Sequence, residues 1–216
     1  MQAVRATLAA VEDDNYRQRL SRAAGLQEAT TACVNTLQSA RSLGLRTRAY
    51  VAVAFDCPFE GQTSLSTVLS LVDRMGSAGA DEVVVADTIG SAAPSTVRTY
   101  VQALCSDMPA DKLAVHFHDT RGMGMDNAWA ALEGGIRRFD SSVGGIGGCP
   151  FAPGAAGNLA TEDLVLLAHR CGYETGISLD GLLDVVDVAE QMLDRPLGGR
   201  SIAWLRRQRK FAEANN

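Results

Sequence analysis

Histidine is scarce in this chain and cysteine is odd in number: three and five respectively among 216 residues. The cysteines, at positions 33, 57, 105, 149 and 171, are scattered and include no CxxC pair, which excludes a disulfide framework and suits a reducing, cytoplasmic setting. Basic charge is not in excess, with 20 Lys and Arg against 25 Asp and Glu and a pI near 5.2, so nucleic acid is excluded as the main partner. No apolar run of about 18 residues occurs to cross a membrane. The first turns carry Glu12, Asp13 and Asp14, unlike a secretory h-region or an acid-poor transit peptide. No low-complexity tract or proline-rich linker divides the chain, and 46% hydrophobic with 21% charged residues is ordinary for one compact unit.

What is present is an alternation of short apolar runs with amphipathic segments. Strands are expected over Arg48–Phe55, Glu82–Asp87, Leu113–His118 and Phe139–Val143, about thirty residues apart, the length of a strand-plus-helix unit. Val83-Val84-Val85-Ala86 is apolar without alternation, as in a parallel sheet buried on both faces. Between the strands, Val68, Leu71, Val72 and Met75 keep helical spacing, as do Val97, Tyr100, Val101 and Leu104 after Pro94. Thr161 followed by Glu162 and Asp163 reads as a cap with two acids favoured by the helix dipole, and Gly172 as a stop. Further helices are expected over Leu26–Leu43, Met125–Gly134, Leu179–Met192 and Ile202–Ala214. Four βα units in series, with reactive side chains at strand ends, indicate an α/β fold of (β/α)8 TIM-barrel type, of which about the last four units plus C-terminal helices are present. Residues 1–25 read as a charged lead-in, helical or irregular, 26–194 as the C-terminal half of the barrel, and 195–216 as a basic C-terminal helix.

His116 and His118 are two apart on a strand, so they share a face and can reach one cation; the alternative is a pair of inert, hydrogen-bonded strand-end residues. Imidazoles with nearby Asn, Asp and water oxygens suit Mg²⁺, Mn²⁺ or Zn²⁺. His169, inside a helix, reads as a surface or packing residue. Cys149 sits in Gly144-Gly145-Ile146-Gly147-Gly148-Cys149-Pro150, too glycine-rich for core, which favours a reactive thiol able to move a proton. Cys33, Cys105 and Cys171 read as small hydrophobes. Asp87 either caps the Thr88-Ile89-Gly90 turn or contacts substrate, and Cys57 either lines the site's mouth or packs there. Arg200, Arg206, Arg207, Arg209 and Lys210 form a solvated helix face or, alternatively, attract the phosphates of a nucleotide-bearing substrate.

The segments AVHFHDT (114–120), DSSV (140–143), GGIGGCP (144–150) and GAAGNLATED (154–163), with YVAVAFDCPFEG (50–61) and DTIG (87–90), resemble the hydroxymethylglutaryl-CoA lyase family of metal-dependent barrel lyases and aldolases. The resemblance spans about residues 26 to 194. It implies a TIM barrel with one divalent cation, Mg²⁺ or Mn²⁺, and cleavage of an acyl-CoA partner, 3-hydroxy-3-methylglutaryl-CoA, to acetyl-CoA and acetoacetate. It further implies His116, His118 and Asn158 as metal ligands or near partners, Cys149, Asp87 and His116 as the catalytic set, and Asp87, Thr88, Gly147 and Gly148 as substrate contacts. The family begins with a strand bearing an Arg-Asp pair, and Arg5 here is not followed by Asp. The expectation is therefore of a lyase partnered by a missing N-terminal half-barrel or by further copies of itself, the alternatives being another aldolase or acyl-CoA condensing member of the superfamily, or a non-catalytic truncated relic.

Overall fold

The computed structural model describes residues 3–7, 25–148 and 157–215. In chain order the elements are β1 (Ala3–Thr7), α1 (Leu26–Ser42), β2 (Arg46–Val51), β3 (Asp56–Cys57), β4 (Gly61–Gln62), α2 (Leu65–Ser77), β5 (Glu82–Asp87), α3 (Pro94–Asp107), β6 (Leu113–Phe117), α4 (Gly124–Glu133), β7 (Phe139–Asp140), α5 (Thr161–Arg170), α6 (Leu179–Leu193) and α7 (Ile202–Ala214). A parallel sheet runs in the order β1-β2-β5-β6-β7, and β3 and β4 form a small antiparallel hairpin. Each strand adds beside its predecessor with a helix between, which is the winding of a (β/α) barrel.

The two faces of the sheet differ. Ala49, Val51, Val83, Val85, Val115 and Phe117 join one core with Val68, Val72 and Met75 of α2 and Val97, Val101 and Leu104 of α3. Burying each such side chain contributes roughly 1.5–3 kcal/mol. The alternate residues Arg48, Tyr50, Glu82, Val84, Ala86, Ala114 and His116 turn to the other, concave face, where polar groups gather. Local chemistry sets the helix starts: Ser64 Oγ accepts from Thr67 N at 3.2 Å at the head of α2, and Pro94 opens α3.

Four departures from the sequence reading have physical causes. Within the 1–25 lead-in, Ala3–Thr7 is a strand and not helical or irregular, because it pairs in register with Arg46–Tyr50; among the described residues the sheet has five parallel strands, not four. β2 stops at Val51 instead of running to Phe55, since Val53 takes φ 48 and gives its N–H to Thr88 Oγ1 at 2.8 Å. β7 is short because the chain leaves it through a 3₁₀ turn, Val143–Gly145, with Gly144 at φ 62. Thr161 is the first residue of α5 and not its cap; that position is Ala160, while Thr161 Oγ1 meets Ser141 Oγ at 2.9 Å.

Candidate functional site

His116 is the fourth residue of β6 and His118 follows the strand's end, so both rings emerge on the concave face near the C-terminal rim. Their centroids lie 5.1 Å apart with the planes at 74°. Asn158 is placed opposite His118 by backbone pairing: Leu159 N donates to Phe117 O at 3.0 Å and Asp119 N to Gly157 O at 3.3 Å. Nδ1 of each histidine is buried without a protein partner. Burial pushes both imidazoles below the ordinary histidine value, His118 to about 4 with repulsion from His116 adding to it; for His116, burial is opposed by nearby Asp140 and by Asn158. Both are therefore neutral at pH 7, the form that ligates a metal. Two orphaned imidazoles beside a carboxamide fit a divalent cation. Among the described residues no three His, Cys, Asp or Glu side chains cluster for one, so this donor set brings no negative charge of its own.

Asp87 is buried, 1% exposed, and stands in register with Phe117, on the helix-facing side of the sheet and so on the opposite side from His116. Its Oδ1 accepts from Ser91 N at 2.9 Å and its Oδ2 from Ala92 N at 3.1 Å. The capping reading thus accounts for both oxygens. Burial raises its pKa, against the lowering effect of those two amides. Thr88, one residue on, accepts from Val53 N. Cys57 is half-buried in the β3–β4 hairpin.

The glycine segment is anchored at Ile146. Asn158 Nδ2 donates to Ile146 O at 2.8 Å, and Ser142 Oγ donates to the same carbonyl at 2.6 Å. Cys149 lies outside the described residues.

Sequence reasoning missed two groups. Glu162 and Asp163, read as acids favoured by the helix dipole, are also buried. Glu162 accepts from Gly144 N at 3.0 Å and Gly199 N at 2.7 Å, and Asp163 from Arg200 N at 2.7 Å and Ser201 N at 2.9 Å. The second group crosses the concave face beneath His116: Arg48 binds Glu82 and Asp140, Tyr50 donates to Asp140, and Arg138 reaches Glu82 at 2.9 Å. Polar residues at alternate positions of an otherwise buried strand were the available signal. The basic C-terminal cluster divides. Arg206 and Arg209 pair with Asp184, Asp187 and Glu190 of α6, whereas Arg200 Nε reaches Asp119 Oδ2 at 3.2 Å. His169 is exposed, 2.9 Å from Thr175 Oγ1, as a surface residue.

Residues 7–189 match the HMGL-like family. The chain is 40% identical over 163 residues to hydroxymethylglutaryl-CoA lyase YngG of Bacillus subtilis, covering 76% of this chain and 54% of that protein. It superposes on hydroxymethylglutaryl-CoA lyase from Pseudomonas aeruginosa with a TM-score of 0.83 and 32% identity, covering 95% of this chain and 67% of that one. It also superposes on an HMG-CoA lyase from Acinetobacter baumannii in complex with coenzyme A and 3-methylmalate, at a TM-score of 0.79 and 34% identity, over 91% and 63% of the two chains. The chain spans about half the length of the curated relatives it matches.

Proposed function

This chain belongs to the HMGL-like family, and on that premise we propose that it carries the His116–His118–Asn158 part of a carbon–carbon lyase cleaving 3-hydroxy-3-methylglutaryl-CoA to acetyl-CoA and acetoacetate. The supporting observation is the pair of neutral imidazoles, each with a buried and unclaimed Nδ1, beside Asn158 at the C-terminal rim of a parallel sheet. The acyl-CoA class is supported by the relative solved with coenzyme A.

Retro-Claisen cleavage needs a proton removed from the tertiary hydroxyl, a C–C bond broken, and a proton returned to the α-carbon of the departing acetyl-CoA enolate. A Mg²⁺ or Mn²⁺ ion held by His116, His118 and Asn158 Oδ1 would supply a Lewis acid for the hydroxyl and carboxylate oxygens. Ligation uses one ring nitrogen of His116 and leaves the other to exchange a proton. Asp87 holds the Ser91–Ala92 turn, and with it Thr88, at the rim. Cys149 has the chemistry to return the final proton, its S–H bond breaking as the new C–H bond forms. Gly147 and Gly148 admit substrate where side chains would obstruct it. A thiol in this role must stay reduced, which fits a cytoplasmic enzyme.

The test is acetoacetate release in the presence of Mn²⁺ or Mg²⁺, with the N-terminal strands of a relative supplied in cis or as a second polypeptide. His118→Ala is expected to lower turnover at least about a hundredfold, and Cys149→Ala likewise, as for loss of a general acid. Undiminished turnover in His118→Ala would refute the assignment.

A further inference from the structure

Three glycines lock the glycine segment against the segment 157–159 that presents Asn158. Gly145 has φ +66, and a Cβ there would stand 3.2 Å from Asn158 O; at Gly157, φ +76, it would stand 2.8 Å from Gly145 O. Gly147 is the closest fit: at φ +100 its Cβ would lie 2.7 Å from Asn158 Nδ2. No L side chain is comfortable with either the conformation or the contact.

The Asn158 carboxamide has one orientation that satisfies its neighbours. Ile146 O can only accept, so the atom facing it at 2.8 Å is the NH₂ group. Ser142 Oγ takes the other lone pair of that carbonyl, which leaves Ile146 O saturated and the loop's path held from two sides. With Nδ2 committed to Ile146, Oδ1 is the atom left for the histidine side.

We propose that Gly147 is a positioning residue for the cation site: it allows Asn158 Nδ2 to latch on Ile146 O, which turns Oδ1 toward His116 and His118 and couples cation binding to the seating of the glycine segment. The proposal rests on the reading of those three residues as the ligand set. A residue with no side chain thereby controls a ligand's aim, and by reciprocity a bound cation tightens the loop.

The experiment pairs Mn²⁺ titration, followed by electron paramagnetic resonance of the free ion, with amide exchange at Gly145 and Ile146, whose N–H groups donate to Ser142 O and Val143 O. Parent chain, Gly147→Ala, Asn158→Asp, Gly135→Ala and His116→Ala are compared. Gly135 also has positive φ, +103, but open space around its Cβ position, so it controls for backbone strain alone. In the parent, Mn²⁺ slows exchange at both amides. Gly147→Ala is expected to weaken Mn²⁺ binding at least tenfold, to speed exchange at both amides without metal, and to abolish the slowing by Mn²⁺, while Gly135→Ala does none of these. Asn158→Asp keeps an oxygen donor, gains charge and loses the latch, so Mn²⁺ binding holds or tightens while exchange speeds. Parent-like Mn²⁺ affinity in Gly147→Ala, or unchanged exchange in Asn158→Asp, overturns the coupling alone. A parent chain whose Mn²⁺ binding equals that of His116→Ala overturns the ligand set, and the proposal with it.

Discussion

Replacing Glu162 with alanine tests how the rim of the site is held. The side chain is fully buried, and its two oxygens accept from Gly144 N at 3.0 Å and Gly199 N at 2.7 Å, amides that lie 55 positions apart in the chain. Hydrogen bonds to a charged group contribute roughly 1.5–3 kcal/mol each, and a buried amide left without an acceptor costs about 1–3 kcal/mol. Those two statements describe the same loss from either side, so they are not summed. Two bonds lost, with a cavity left behind, give about 3–5 kcal/mol. In a chain of this length a kcal/mol shifts the midpoint by roughly 2–4 °C, so Glu162→Ala is expected to lower Tm by about 10 °C. Glu162→Gln keeps one acceptor oxygen and presents an NH₂ group to the other amide, so its loss should be smaller but still above about 1 kcal/mol. Thermal and urea unfolding of both variants measure this. A loss below about 1 kcal/mol in the alanine variant would show that Gly144 and Gly199 find other acceptors, and the account of the clasp would be wrong.

Other outcomes follow from the same geometry. In the metal-free chain, His118 has a folded pKa of about 4 against an ordinary 6.5, so its contribution to stability is present above pH 6.5 and is lost as pH falls toward 4; urea midpoints across that window check it, and a flat profile opposes the burial argument. Arg48→Ala leaves Glu82 and Asp140 facing each other across the concave face without their shared cation, an expected cost of about 2–3 kcal/mol by urea unfolding; a change under about 0.5 kcal/mol would make the network ornamental. Val53→Gly relieves a left-handed, β-branched residue, φ 48, and should raise stability by about 0.5–1 kcal/mol after the glycine's extra unfolded-state entropy; destabilisation would show that Val53 packing outweighs the strain.

Much of the fold was legible because periodicity reports burial directly. β5 and α7 match their expected bounds residue for residue, and both histidines fall where strand alternation puts them. What escaped depends on partners distant in sequence. Ala3–Thr7 is five residues long, too brief for a pattern, and becomes a strand through Arg46–Tyr50. The dipole reading of Glu162 and Asp163 says nothing of their burial, since a helix dipole favours acids in a first turn whether wet or dry. Their burial comes from Gly144 on one side and the return of residues 199–201 over α5 on the other. Asp87 is similar. Its position at a strand end was visible, but whether it faces substrate or the next turn is set by parity with Phe117 and by the amides of Ser91 and Ala92.

The Glu162 clasp also carries a message about time. The root of the glycine segment is made by residue 145, yet Gly144 O accepts from Gly198 N, and Glu162, which accepts from Gly144 N, is itself held by Gly199 N, so those anchors are translated more than fifty residues later. A ribosome elongates at roughly 5–20 residues per second and earlier parts of a chain fold first. For the several seconds between, the sheet carrying His116 and His118 can be finished while the loop beside it is still unanchored. The centre is thus completed from the C-terminal side, and a nascent chain stalled before residue 197 would lack the amides that hold Gly144 O and the Glu162 carboxylate.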